Sequence, residues 1–554
     1  MKSNGARAVV ECFLRHGVDT VFGYPGGMIL PLYDALYDEP RIRQVLTVHE
    51  QGAAHAADGY ARASGGVGVC IATSGPGATN LVTGLAAAFM DSVPVVAITG
   101  QVDTTLLGRD AFQEVDIMGV TMPITKHNFQ IKDPAKLVAT LELAFKVAQS
   151  GRQGPVLVDI PRDVFLASVE AEAAPRSGRT QPEEAHAESV AAAVEALRSA
   201  ERPLIVAGGG VISAGACEAL AALAEKLQLP VANTLMGLGS FPRAHPLSLG
   251  LTGMHGLAEA NQAVFAADLV IAAGSRFGDR LTGNRDKYSR DKCLIHIDID
   301  PAEIDKNVVS SIALAGDMKR ILRELTEAAG ADCAASDAWR QEVEGWRRQY
   351  RMECDASCLN MPWMMRKVSE LGAEADLIFV TDVGQHQMWA AQHIAFRTPR
   401  SWLTSGGLGA MGFGLPAALG AQLAAGAGRR VVHIAGDGGI KMTGNEYYTI
   451  ASLGLPVISI IVDNAQLGMI RQLQKVFYDG RYTACELAHP MDYAAYAKSF
   501  GIESDVCETP AAFAEAFAKA LAEDAPRVIV ARVAPDFVRP MIKVGADINE
   551  FVDL

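Results

Sequence analysis

Unbroken apolar runs recur along this chain, each followed by a segment with helical spacing, and that alternation leaves few architectures open. Val67 to Thr73, Val93 to Thr99 and Val156 to Ile160 are apolar on both faces rather than on one. A strand of that kind must be covered on both sides, which is the condition of a parallel sheet wrapped by helices. The pattern returns at Leu204 to Ala207, Leu269 to Ala273 and Leu294 to Ile297, and again at Leu377 to Thr381, Val431 to Ala435, Val457 to Val462 and Arg527 to Val533. We read an α/β chain of three doubly wound parallel-sheet domains, over residues 1–168, 189–335 and 360–554. Glu170 to Glu188, rich in Ala, Pro, Glu and Ser without apolar periodicity, reads as a solvated linker. Gln341 to Arg351, charged and helix-like, leads out of the second domain, and no short repeat suggests a solenoid.

Composition narrows the function classes. In 554 residues, 49% are hydrophobic and 20% charged, too apolar a balance for a disordered chain. Lys plus Arg is 49 and Asp plus Glu 63, so the net charge of −14, with no basic patch in the sequence, disfavours nucleic acid as a partner. Nine cysteines at irregular spacings, with no second ligand pair beside Cys354 and Cys358, read as reduced thiols, and no signal-peptide core follows Met1. A cytoplasmic protein is expected. Ser401 to Gly428 carries no charge and could pass for a membrane span. Its many glycines, with Pro416 and Gln422, read instead as backbone packed closely around a ligand.

The polar ends of two strands carry the first chemical signal. The run Val431 to Ala435 ends in Gly436-Asp437-Gly438, the run Val457 to Val462 ends in Asp463-Asn464, and one crossover helix fits between them. Both ends then fall on the carboxyl edge of one sheet, where open α/β sheets bind ligands. A carboxylate, an amide oxygen and a nearby main-chain carbonyl, completed by phosphate oxygens and water, suit Mg²⁺. Gly-Asp-Gly alone is also an ordinary turn; the spacing to Asn464 is what favours the metal.

These motifs, with GYPGG at Gly23 to Gly27, HEQGAAHAADGYARA at His49 to Ala63, TSGPGATN at Thr73 to Asn80, DAFQE at Asp110 to Glu114, DVGQHQMWAAQ at Asp382 to Gln392, SGGLGAMGFGLPAA at Ser405 to Ala418 and LGMIRQ at Leu467 to Gln472, resemble the catalytic subunit of acetohydroxyacid synthase, also called acetolactate synthase. That branch of the thiamine diphosphate enzymes is matched in order along almost the whole chain. The resemblance implies an N-terminal domain for the cofactor's pyrimidine, a central FAD-type domain and a C-terminal diphosphate and Mg²⁺ domain. It implies pyruvate decarboxylation and transfer of the hydroxyethyl unit to a second 2-ketoacid, giving 2-acetolactate for valine and isoleucine biosynthesis. Glu50 would bond the aminopyrimidine and promote its imino tautomer, Met411 would wedge the cofactor into a bent shape, and the Gly409 carbonyl would accept from its amino group. Asp437, Asn464 and Gln466 would hold the metal. Gly26, Pro76, Asn80, Gln385, His386, Gly436, Gly438, Gly439, Gly468 and Met469 would complete the cofactor site. Gly27, Gln113 and Lys126 are carried over as catalytic, and Phe112, Arg162 and Ile470 as pocket residues, Arg162 standing where a lysine is usual. Arg280 would recognise the carboxylate of the acceptor ketoacid, a task for planar paired donors.

Arg152, Gly208, Gly209, Gly210, Thr234, Leu235, Met254, His255, Gly274, Arg276 and Asp298 resemble the family's FAD site, where flavin is structural because the net reaction is redox-neutral. Two departures matter. Leu473 follows Gln472 where the family has tryptophan, which predicts a weaker preference for 2-ketobutyrate, and Thr443 and Asn445 replace Asn and Gln after the metal aspartate. The resemblance also implies a homodimer or homotetramer with the active site between subunits, and a possible regulatory small subunit. The readings weighed against it are a related carboligase with another acceptor, a pyruvate oxidase-like flavoenzyme and a non-catalytic paralogue. Retention of Glu50, Asp437 and Asn464 argues against the last.

Overall fold

The computed structural model describes residues 2–170, 187–426 and 428–553; most of the linker expected over 170–188 lies outside the described residues. Three six-stranded sheets, parallel throughout, account for the apolar runs. The first orders its strands Arg43–Leu46, Thr20–Gly23, Gly68–Ala72, Val95–Gln101, Val156–Pro161, His127–Gln130. The second runs Ser248–Leu251, Val231–Asn233, Pro203–Ala207, Leu269–Ala273, Cys293–Asp298, Ile312–Ala315. The third runs Trp402–Leu403, Leu377–Thr381, Arg430–Gly436, Ile458–Asp463, Arg527–Arg532, Glu503–Cys507. In the second, chain order reverses in the middle of the sheet, and in the first and third after the second strand of the order; such points are where these folds leave a crevice at the strands' carboxyl ends. Lys2–Asn4 pairs antiparallel with Ser168–Glu170.

The cores explain how the three sheets are joined. The second sheet has its own, from Val190 to Val343, closed by Ile542 and Ile548 near the C-terminus. The first and third share one: Phe22, Ala56, Leu85 and Leu157 cluster with Ile378, Leu415, Val431 and Val530. At its centre, helix Glu50–Ser64 lies against helix Gly414–Ala425. Both are built from Ala and Gly on the contact face, and the approach is so close that a Cβ on Gly59 would strike the Ala417 carbonyl oxygen and one on Gly420 the Ala56 carbonyl oxygen. The uncharged stretch from Ser401 is thus a short strand, a glycine-rich turn and this buried helix. Among the described residues no helix is long and apolar enough to cross a membrane.

Candidate active site

Strands Arg430–Gly436 and Ile458–Asp463 are neighbours, with Gly436 opposite Val462, so the loops that follow them emerge side by side. Asp437 is buried, and its Oδ2 accepts from the Asn464 backbone N–H at 3.2 Å. Burial, and then the nearby Asp463 carboxylate, push the Asp437 carboxyl up to about 6. Two acidic groups together in a desolvated crevice are unfavourable, and a divalent cation relieves both terms.

These loops open into one cavity of about 1450 Å³ that extends to the second sheet. On the third-sheet side it is lined by Gln385, His386, Gly409, Met411, Gly436, Asp437, Gly438, Gly439, Asn464, Gln466, Gly468, Met469, Ile470 and Leu473. Three buried atoms on this wall have no hydrogen-bond partner: Gln385 Oε1, His386 Nε2 and Gln466 Oε1. Burial pushes His386 down to about 4, so its imidazole is neutral at pH 7. Buried polar atoms left unpaired cost free energy, and their convergence beside glycines marks a wall built for a polar ligand.

On the second-sheet side the same cavity is lined by Gly209, Gly210, Thr234, Leu235, Met254, His255, Gly274, Arg276, Arg280 and Asp298, with Arg152 from the first. Gly208 stands behind this wall: its N–H donates to Ala273 O at 2.8 Å, and the Gly210 N–H to Gly274 O at 3.2 Å, bringing two strand-end loops into backbone contact. His255 Nε2 is buried without a partner, and burial holds Asp298 up at about 6. Arg280 is exposed, its Nη1 3.4 Å from Met254 Sδ.

Glu50 opens the buried helix of the first sheet, and its Oε2 accepts from Asn80 Nδ2 at 2.9 Å. Gly77 packs beside its other oxygen, and Gly75, at φ +60°, lies against Gln113. Pro76 and Asn80 belong to the short helix between them.

Models of three thiamine pyrophosphate enzyme domains match the chain: the N-terminal TPP binding domain over residues 3–120, the central domain over 190–325 and the C-terminal TPP binding domain over 382–531. The probable acetolactate synthase large subunit of Methanocaldococcus jannaschii is 44% identical across 99% of this chain and 95% of its own length. The acetolactate synthase large subunit of Parasynechococcus marenigrum is 48% identical across 90% and 82%, and that of Corynebacterium glutamicum 46% across 89% and 80%. The chain belongs to the acetolactate synthase large subunits.

As a member of this thiamine pyrophosphate-dependent family, the chain divides the expected site residues into two groups. The residues expected around the diphosphate, metal and flavin, Gly208 excepted, share the large cavity with Arg280, Ile470 and Leu473. Glu50, Gly26, Gly27, Pro76, Asn80 and Gln113 do not line it, and neither do Phe112, Lys126 and Arg162. Phe112 is 82% exposed, and Arg162 forms a paired bond with Asp103 at 3.0 and 2.9 Å. Lys126 donates to the carbonyls of Val147 and Ser150 at 2.6 and 2.7 Å, bracing the turn that carries Arg152, and burial lowers its ammonium to about 8.

Three buried carboxylates that were not among the expected site residues brace this candidate site, although Asp382 opens the DVGQHQMWAAQ segment. Glu446 accepts from the backbone N–H groups of Val48 and His49 at 3.0 and 3.2 Å and from the Thr449 hydroxyl at 2.8 Å, fixing the turn that presents Glu50. Asp91 accepts from Gly406 and Gly407 N–H at 3.0 and 2.7 Å and pairs with Arg62, while Asp382 accepts from Gly412 N–H at 2.9 Å. The last two pin both sides of the turn carrying Gly409 and Met411. The missed signal was the combination of an acidic residue and a predicted interior position, since carboxylates are rarely fully buried unless paired.

Proposed function

We propose that this chain decarboxylates one pyruvate and joins its two-carbon unit to a second 2-ketoacid, giving 2-acetolactate for branched-chain amino-acid biosynthesis. The observation that carries the reading is the crevice in which Asp437 and Asn464 meet beside three unpartnered buried polar atoms. Bound thiamine diphosphate would supply the electron sink for decarboxylation through its thiazolium carbon. Asp437, Asn464 and Gln466 would hold Mg²⁺ and through it the diphosphate, with Gln385 and His386 donating or accepting at the oxygens around it. Met411, held by the Asp382 and Asp91 anchors, would press the two rings together before substrate arrives, and the pocket would exclude water from the reacting carbon. Glu50, its geometry set by Asn80 and Glu446, would exchange a proton with the aminopyrimidine. Arg280 would pair with the acceptor's carboxylate, and Gln113 and the Gly27 N–H would steady developing negative charge on its oxygen.

Glu50 stands apart from its own chain's metal crevice, which supports a homo-oligomer in which the Glu50 side of one chain faces the crevice of its partner. Phe112 at 82% exposure and Met122 at 68% are apolar side chains such an interface would cover. The large-subunit names of the relatives fit a small regulatory partner as well. FAD would occupy the second-sheet half of the cavity against Gly209, Gly210, Gly274 and His255, as a structural group.

Mass-spectrometric identification of products from pyruvate, thiamine diphosphate, Mg²⁺ and FAD tests the reading. Acetolactate as the main product is expected; acetate or acetyl phosphate with peroxide would replace it by a pyruvate oxidase. EDTA followed by desalting is expected to abolish acetolactate formation and release thiamine diphosphate, with both restored by Mg²⁺. Full activity after that treatment would remove Asp437, Asn464 and Gln466 as ligands. Leu473→Trp would add an aromatic surface to the acceptor end of the cavity and is expected to raise the 2-ketobutyrate to pyruvate preference about tenfold, measured by competing the two acceptors. An unchanged ratio would take Leu473 out of acceptor selection.

A further inference from the structure

Between the helices of the second sheet and those of the third lies another cavity, of about 340 Å³, which shares no lining residue with the first. Four arginines line it: Arg243 from the loop before strand Ser248–Leu251, and, much later in the chain and close to one another, Arg347 and Arg351 from and just beyond helix Asp337–Gln349 and Arg366 from helix Met361–Leu371. Among its described lining residues there is one carboxylate, Glu259, 3.9 Å from Arg243, and one histidine, His393. Burial, then Arg366 and Arg243, push His393 down to about 3, so it adds no charge at pH 7. Four cations against one anion leave a positive cavity inside a chain whose net charge is −14.

The guanidinium groups are lightly committed. Arg366 donates to Met352 O at 2.8 Å, while Arg243 and Arg347 both reach Ser248 O, at 3.3 and 2.5 Å. Arg347 also lies 3.4 Å from Glu344. Each guanidinium has five N–H donors, so most remain available, and like charges gathered in one cavity repel unless an anion joins them. Gln392, on the same lining, donates its amide N–H groups to the His255 and Arg539 carbonyls, so it offers an anion no donor and the arginines carry the recognition.

We propose that this cavity binds a small phosphate monoester. A phosphate ester carries close to two negative charges at pH 7 and offers three acceptor oxygens, which suits guanidinium forks arriving from several directions. The volume lies at the lower end of small-molecule sites and admits a phosphate with a short organic substituent. Because Arg243 and Glu259 come from the second sheet's part of the chain and Arg366 and His393 from the third's, the bound anion would bridge the two and stiffen their docking.

The test uses the holoenzyme saturated with thiamine diphosphate, Mg²⁺ and FAD, so that the cofactor cavity is filled. Phenyl phosphate, inorganic phosphate and succinate are titrated by calorimetry and scored in parallel by thermal melting. Phenyl phosphate is expected to bind saturably and raise the melting temperature, inorganic phosphate to bind more weakly, and succinate least. Arg351→Ala, at an exposed position where folding is not at stake, should weaken phenyl phosphate about tenfold or more. Glu259→Gln should tighten it, because the one opposing carboxylate is gone. No saturable binding of either phosphate at millimolar concentration, or binding indifferent to both substitutions, would overturn the proposal. Succinate as the best ligand would overturn the phosphate assignment in favour of a dicarboxylate.

Discussion

Glu50→Gln is expected to slow acetolactate formation by about 10²- to 10⁴-fold, the usual range for removing a positioned proton-transfer group. The substitution is nearly isosteric, and the glutamine oxygen still accepts from Asn80 Nδ2, so the start of helix Glu50–Ser64 keeps its shape. Thiamine diphosphate affinity should therefore change little while turnover collapses. Steady-state kinetics with a parallel cofactor titration separates the two. A loss below tenfold would mean that Glu50 does no more than favour the helix terminus.

Gly420→Val should be the most damaging single substitution for folding, at a cost of about 3 kcal/mol or more. The new side chain would occupy the Ala56 carbonyl oxygen, and both partners are backbone on rigid helices, so neither can yield as a side-chain tip would. Gly345→Ala is the control: nothing lies within 4 Å of that Cβ, and in helix Asp337–Gln349 it should be neutral or stabilising by about 0.5 to 1 kcal/mol. Thermal melting of the two variants beside the parent measures the contrast. A Gly420→Val protein that melts like the parent would mean that the helices can separate locally without cost.

The inner strands were legible because parallel sheets bury both faces and write them as solid apolar runs; Leu269–Ala273 and Leu377–Thr381 are found at the expected residues and the other expected runs within two residues at each end, whereas edge strands with partly exposed faces, such as Arg43–Leu46, His127–Gln130 and Glu503–Cys507, were not anticipated. The crevice of Asp437 and Asn464 was legible for the same reason, since the two residues terminate adjacent runs. What the chain did not disclose is long-range pairing. Nothing near Glu446 announces that it binds the backbone at Val48 and His49, and nothing near Asp91 points to Gly406. The arginine cavity was invisible because Arg243 comes from a loop far upstream of the two helices that bring Arg347, Arg351 and Arg366, with ordinary mixed charge between, and an expectation of no basic patch does not hold in space.

The shared core of the first and third sheets bears on how such chains can be recombined. Glu446 reads the backbone beside Glu50, Asp91 reads the turn after Thr404, and the two alanine-glycine helices approach too closely to admit a Cβ at Gly59 or Gly420. Those two thirds form a matched lock, although the second sheet is spelled out between them. A chimera with a relative should therefore tolerate exchange of the insert, with its own core, far better than exchange of either flank alone.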